Sequence, residues 1–364
     1  MWNTPDEPYQ DLPPLPPAAQ IETPAVLKGV ISASRALARL DGACKRLPDP
    51  TMLINLIPLL EAQASSEIEN IVTTNDELFK AAHGALSAMT PQVKEALRYR
   101  EALWAGFESV RERPITTATA IAVCEGINGH QVQIRNRPGT YIGNPRTGRR
   151  IYTPPEGQET IQRHLSAWES FLHGDHGIDP LVVMALAHYQ FEAIHPFFDG
   201  NGRTGRILNL LVLIESGVLE LPILYLSGHI TRHKDEYYRL LKGVTRNDEW
   251  TPWILFLLSG ITETATWTLD LVERTDELRE QMSEEIRRIN SRVPAADITR
   301  LLFTQPYLRI DAVVEAGLAK RQTASRWLTE IAEHGTIGKE RIGRTVLFVN
   351  DRLLDMLFAA ALPE

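Results

Sequence analysis

At 364 residues, 43% of them hydrophobic, the chain is long enough for two or three domains around a sizeable core. Its net charge of −8 excludes a global basic field for nucleic acid or an anionic membrane. Two cysteines, Cys44 and Cys124, make no disulfide framework, no apolar run is long enough to span a membrane, and no basic-then-apolar leader opens the chain, so a soluble cytoplasmic protein is expected.

Residues 1–24 carry seven prolines and read as an extended arm packed across the domain surface. Helical periods start near Val26 and continue, with breaks, to about Arg111; the Leu- and Ile-rich stretch Thr51 to Ala64 is expected in the core. Another helix is expected over 115–133. Two short strands follow, Gly139 to Gly143 and Arg149 to Thr153, with turn chemistry at 144–148 and Pro154-Pro155 ending the hairpin. Helices resume at 158–172, 180–194, 203–216, 232–245 and 250–259, and 260–290 is one long helical stretch. Pro294 marks a boundary before a compact module: short helices at 298–304 and 310–315, a third at 320–334 closed by Gly335, then an alternating hairpin over 338–350.

The chemistry concentrates at 195–206, His-Pro-Phe-Phe-Asp-Gly-Asn-Gly-Arg-Thr-Gly-Arg. Asp179 and Pro180 open a helix that Pro196 breaks, and Gly217 closes the next one, so the loop joins two helices. Gly200, Gly202 and Gly205 let backbone N–H groups approach an anion, and Arg203 and Arg206 fork phosphate oxygens from a shared face of the second helix. His195 is the one group here that takes a proton near neutral pH, and Asp199 is the one carboxylate. Phe197 and Phe198 are expected to anchor the loop. The three glycines also match G-x-G-x-x-G, but a helix precedes them rather than a strand, so a dinucleotide fold is rejected.

The stretch resembles the Fic motif, HPFx[D/E]GNGRxxR, with every fixed position filled. The resemblance implies a mainly α fold: a Fic-type helical bundle with a β-hairpin flap, followed by a winged helix-turn-helix-like module. It implies an arm at 1–24, an N-terminal helical region at 25–114, a catalytic domain at 115–260, a connecting helix at 261–291 and the module at 292–364. The implied activity is transfer of AMP from ATP to a Tyr, Thr or Ser hydroxyl of a target protein, or of the enzyme itself. His195 would be the general base and Asp199 would hold Mg²⁺ or Mn²⁺. Gly200, Asn201, Gly202, Arg203, Gly205 and Arg206 would hold the phosphates. Tyr237 and Tyr238 resemble the family's adenine-side pair, although Thr245 falls near the place of the Asn that follows it there. Gly139, Thr140, Tyr141 and Ile142 resemble the flap's first strand, which holds the target segment by backbone pairing.

Ser65 to Asn70, Ser-Ser-Glu-Ile-Glu-Asn, resembles the family's inhibitory motif. That resemblance implies that Glu69 pairs with Arg206 and takes the place of the γ-phosphate. The competing reading is a capping box from Ser66 to Glu69. In the module, residues 296–350 hold eight Lys or Arg against six Asp or Glu. That surplus is thin for a DNA reader, so protein contact or a homodimer is expected ahead of DNA binding. Two other functions stay open: a DNA-binding regulator whose Fic-like domain senses nucleotide, and a Fic enzyme that uses another nucleotide or removes AMP.

Overall fold

The computed structural model describes residues 4–47, 51–84, 88–143, 149–343 and 345–359. In chain order these form α1 (Pro24–Cys44), α2 (Thr51–Ile68), α3 (Asn75–Ala82), α4 (Pro91–Val110) and α5 (Thr117–Asn128). The hairpin β1 (Ile142–Gly143) and β2 (Arg150–Tyr152) follows, then α6 (Gln158–Leu172), α7 (Pro180–Ile194), α8 (Asn201–Glu215), α9 (Leu226–Arg232), α10 (Lys234–Asn247) and α11 (Trp250–Ile289). The C-terminal part holds α12 (Ala295–Thr304), β3 (Tyr307–Arg309), α13 (Ile310–Glu315), α14 (Arg321–Glu333), β4 (Gly338–Ile342), β5 (Thr345–Val349) and α15 (Asp351–Ala359). The chain is mainly α. No helix among the described residues is long and apolar enough to cross a membrane.

Helix α7 is the centre. Its sequence is apolar almost all round, and all but one residue from Leu181 to Ile194 is buried, as expected of a helix packed on every side. It contacts α6, α8 and α11, while α4 and α5 cover the other side of α8. The Asp179 carboxylate accepts from Leu181 N at 2.9 Å, and Pro180 sits where the missing N–H costs nothing. The proline-rich arm lies across this unit. Tyr9 N donates to the Thr153 carbonyl at 2.9 Å, and Gln190 in α7 donates to the Pro13 carbonyl at 3.1 Å.

Several expected boundaries move. The expected 115–133 helix ends at Asn128, because Gly129 takes a left-handed φ of 73°. The hairpin strands are shorter than expected, and the 144–148 turn lies outside the described residues. The two stretches expected to meet at 260 are one 40-residue helix, α11. Gly260 is no breaker there; a Cβ on it would stand 2.7 Å from the ring of His229, so it permits close packing against α9. In the Thr run after it, Thr262, Thr264, Thr266 and Thr268 each donate to the carbonyl four residues back, which gives every one of these hydroxyls a partner along the helix.

The C-terminal elements add a strand that periodicity did not show. β3 joins the expected hairpin in an antiparallel sheet of order β3-β5-β4. This unit grips α3. Lys80 pairs with Asp76 at 3.0 Å and with Glu340 at 3.1 Å, Tyr307 donates to Asp76, and Phe79 meets Phe358 edge-on at 5.4 Å.

Asp179→Ala should destabilise the fold by roughly 0.5–2 kcal/mol, the cost of losing a helix N-cap. Asp179→Asn, which keeps the acceptor, should recover most of it. Thermal melting of the three proteins checks this; equal melting of Asp179→Ala and the parent would remove the cap from the account.

Candidate active site

The 195–206 loop is built by backbone geometry first. α7 ends at Ile194, and His195 turns the chain with a left-handed φ of 49° while its N–H still reaches the Phe191 carbonyl at 3.0 Å. Pro196 cannot continue the helix. Phe197 is buried, but Phe198 is 57% exposed, so only the first of the two phenylalanines anchors the loop. Gly200 is the N-cap of α8 at φ 81°. The Asn201 side chain closes on Phe197 at both ends: its Oδ1 accepts from Phe197 N and its Nδ2 donates to Phe197 O, both at 2.8 Å. Asn201 therefore staples the loop with its amide, and its backbone is what an anion can meet.

The two arginines diverge from the shared face expected of them. Arg206, 2% exposed, donates from Nε to Ser65 Oγ at 2.8 Å. Its Nη2 reaches both the Ser65 carbonyl and Glu69 Oε1 at 2.9 Å. The Glu69 carboxylate also lies directly over Gly202, where any Cβ would collide with it. Arg203 turns instead to Glu95 on α4, with its other end 3.6 Å from Asp199. Gly205 faces α7 rather than an anion site; a Cβ there would meet Glu192, Phe191 and His188. Its role in this structure is close packing of α7 on α8. Ser66 and Glu69 do not form a capping box. Ser66 is in the last turn of α2, its hydroxyl is buried without a partner among the described residues, and the next helix has its own box, Thr74 with Glu77.

The remaining expected residues spread around this centre. Tyr237 is buried with its hydroxyl 2.9 Å from His188 Nε2, whereas Tyr238 is 42% exposed at the lip and meets the Tyr237 ring edge-on. Thr245 lies away from the site, bonded to Tyr189 and Leu241. Gly139 and Thr140 precede the first strand rather than forming it; Gly139 N donates to Glu156 at 2.8 Å. Ile142 pairs with Tyr152, and the exposed Tyr141 ring lies under Arg150 at 4.6 Å. Asp199 is 79% exposed, and one oxygen accepts from Gly200 N at 2.8 Å.

Residues 122–213 match the Fic/DOC family, 27–108 match the Fic/DOC family N-terminal region, and 278–353 match the C-terminal domain of SoFic-like protein adenylyltransferases. The chain belongs to the Fic/DOC family. It is 31% identical over 188 residues to the protein adenylyltransferase Fic of Drosophila virilis, covering 50% of this chain and 35% of that one. It is 32% identical over 119 residues to the Drosophila yakuba protein of the same name, covering 32% of this chain and 22% of that one. The chain thus spans about a third or less of these curated relatives. The fold is shared with a Fic family protein from Desulfovibrio desulfuricans G20, at a TM-score of 0.58 and 21% identity over 93% of this chain and 98% of that one. Fic-1 from C. elegans superposes at a TM-score of 0.52 and 18% identity, over 68% of this chain and 75% of that one.

Arg135 is the site residue that the sequence hid. It is fully buried, and it donates from Nε to the His195 carbonyl at 2.6 Å. Its Nη2 donates to Ile194 O at 3.3 Å and to Pro155 O at 3.0 Å, and its own N–H reaches Pro196 O at 2.9 Å. One side chain therefore ties the Fic loop to the base of the hairpin and satisfies carbonyls left free at the end of α7. Glu95 was hidden in the same way, a lone acid on a helix with no motif around it.

Electrostatics follow from this packing. Burial, then the Arg135 cation, push His195 down to about 4, against the pull of Glu69 and Asp199. Burial raises the Glu69 carboxyl, but the Arg206 guanidinium outweighs it and leaves the group below the ordinary carboxylate range. Burial pushes Glu192 up to about 7, with Arg206 opposing. Asp199 passes a limited test for a divalent cation. It offers one exposed carboxylate with no further His, Cys or acidic cluster among the described residues. That suits Mg²⁺, which keeps waters and shares phosphate ligands, and does not suit an all-protein cage.

The His195 ring resonances should titrate near pH 4 rather than 6.5, and Arg135→Met should move the midpoint up by removing a cation. The stability carried by keeping this imidazole neutral is complete above about 6.5 and is lost as pH falls toward 4, because the unfolded chain gains the proton first. NMR titration of the histidines measures both; a wild-type midpoint at 6.5 would contradict the geometry.

Proposed function

We propose that this chain is a protein adenylyltransferase that moves AMP from ATP to a Tyr, Thr or Ser hydroxyl and is held back by its own Glu69. The observation that carries this reading is the Glu69 carboxylate seated on Arg206 and over Gly202, beside a His195 kept neutral. The names of the Drosophila relatives support the reaction class.

In this reading the hydroxyl oxygen attacks the α-phosphorus, the bond to the bridging oxygen of the β-phosphate breaks, and pyrophosphate leaves. The proton goes to His195. Its Nδ1 is the buried nitrogen, so Nε2 is the one a hydroxyl reaches. A neutral imidazole accepts that proton at any pH well above 4. The backbone N–H groups at the start of α8 face the phosphates, and Arg203 and Arg206 balance the outer charge. Asp199 would hold a divalent cation, which neutralises phosphate charge when bound. The β1 edge would take an extended target segment by backbone pairing, and Tyr238 at the lip is the aromatic face open to adenine.

Glu69 and the terminal phosphate compete for one cation. While Glu69 holds Arg206, ATP has no counter-charge for its last phosphate and does not settle with the α-phosphate in line. Glu69→Gly should therefore raise incorporation of label from α-³²P-ATP, including into the protein itself. His195→Ala in that background should lower it by about 10²- to 10⁴-fold, the usual loss on removing a general base. Glu69→Gly with no more label than the parent would defeat the brake, and near-normal transfer by His195→Ala would defeat the base assignment.

Excess EDTA, or Asp199→Ala, should suppress labelling in the Glu69→Gly protein to a similar degree. Full labelling in EDTA would exclude the metal role.

A further inference from the structure

The surplus of two positive charges in the C-terminal module is that of residues 296–350 alone. The structure brings in three arginines from before that point. Arg287 and Arg288 stand at the end of α11 and Arg292 follows in the turn, and all three line one cleft with Arg326 of α14. The cleft holds about 560 Å³ and is bordered also by Asn290, Ser291 and Glu330. Four cations thus face one carboxylate, and that carboxylate is engaged by the Asn290 amide at 2.8 Å. Arg288 lies 4.0 Å from Glu284, while Arg287, Arg292 and Arg326 have no ion pair among the described residues. All four guanidinium-bearing residues are exposed.

Such a cluster is unusual in a chain of net charge −8. Elsewhere among the described residues some exposed arginines pair with nearby acids, as Arg239 does with Glu236, and others, such as Arg113 and Arg163, have no ion pair; this cleft brings four onto one lining. Repulsion among three cations without an ion pair, beside Arg288, favours an anion with several charges at similar spacing. The neighbouring surface indicates which anion. Arg326 continues onto the open face of α14, where Gln322 is exposed and Ser325 and Thr329 are partly exposed. On the far side of that face, Lys339 of β4 reaches Thr329 Oγ1 at 3.3 Å, and Arg341 is exposed beyond it. Across the surface run the cleft cations, then Gln322, Ser325 and Thr329 with the exposed Glu333 among them, then Lys339 and Arg341. On a duplex, phosphates would meet the cations and base edges the hydrogen-bonding side chains between them. A 13-residue helix is about 20 Å long, and an α-helix fits the major groove.

We propose that this cleft and the adjoining face of α14 bind duplex DNA, with Arg287, Arg288, Arg292 and Arg326 on the phosphate backbone. This proposal differs from the protein-contact role expected of the module, because arginines from the tail of α11 add to the module's charge. This proposal does not rest on the AMP-transfer reading.

The test uses the full chain and a fluorescein-labelled 20-base-pair duplex, followed by anisotropy at 50 and 200 mM salt. Binding should be measurable at 50 mM and should fall steeply by 200 mM. Arg287→Glu/Arg292→Glu/Arg326→Glu should weaken it at least tenfold, and the log–log salt slope should drop by about 2–3 as three phosphate contacts are lost. The three-alanine version should give a smaller loss in the same direction, and circular dichroism melting confirms that both variants fold. Arg239→Glu/Arg274→Glu, with the same kind of charge change elsewhere, should bind like the parent. The proposal is overturned by no binding at 50 mM, by a triple variant that binds like the parent, or by equal or tighter binding of inorganic polyphosphate, single-stranded RNA or anionic vesicles.

Discussion

Arg206 carries a full positive charge into the interior, and the surroundings of the Fic loop are arranged to make that tolerable. A cation removed from water is destabilising by several kcal/mol unless opposite charge and hydrogen bonds compensate it. Here the end of α2 supplies both, through the Ser65 hydroxyl and carbonyl and the Glu69 carboxylate. Glu192 and the Tyr237 hydroxyl stand close enough to feel the same charge. The N-terminal helices are therefore part of the site's charge balance. In the proposed function the face of Arg206 that Glu69 occupies is the one a terminal phosphate would need.

Arg135 performs a similar double duty on the other side of the loop. Its forked donors hold the carbonyls of Ile194, His195 and Pro155, which sets where the His195 ring stands relative to the hairpin. Its charge also disfavours the imidazolium. Position and proton affinity of one histidine thus depend on a single buried side chain from outside the motif. The ring beneath is locked as well: His188 stacks on Trp253 at 5.8 Å and bonds Tyr237.

What could be read from the chain divides along physical lines. Local signals were legible: Asp179-Pro180 at the start of α7, Pro196 at its end, the glycine caps, and the density of chemistry at 195–206. The Ser65–Glu69 pairing with Arg206 was reachable only through the resemblance, since nothing local joins residues 141 positions apart. Arg135 and Glu95 carried no signal because a lone charged residue looks the same whether it is solvated or buried. Gly205 packs against α7, and a glycine that admits a phosphate and one that admits a neighbouring helix are identical in sequence. The joint at 260 was misplaced for the same reason, because His229, which makes Gly260 a packing residue, is 31 positions away. β3 escaped notice because three residues are too few for a period.

Helix α11 has one more consequence. Trp253 near its start walls the inner site, and Arg287 near its end lines the basic cleft. At 1.5 Å per residue these positions are separated by about 50 Å along one unbroken rod. If the cleft holds a polymer as proposed, about 50 Å of helix lies between that polymer and the wall of the inner site. Any protein travelling on that polymer would meet the loop as if at raised concentration, within a radius set by the rod. Acceptor choice would then depend on what is tethered nearby as well as on the sequence around the hydroxyl.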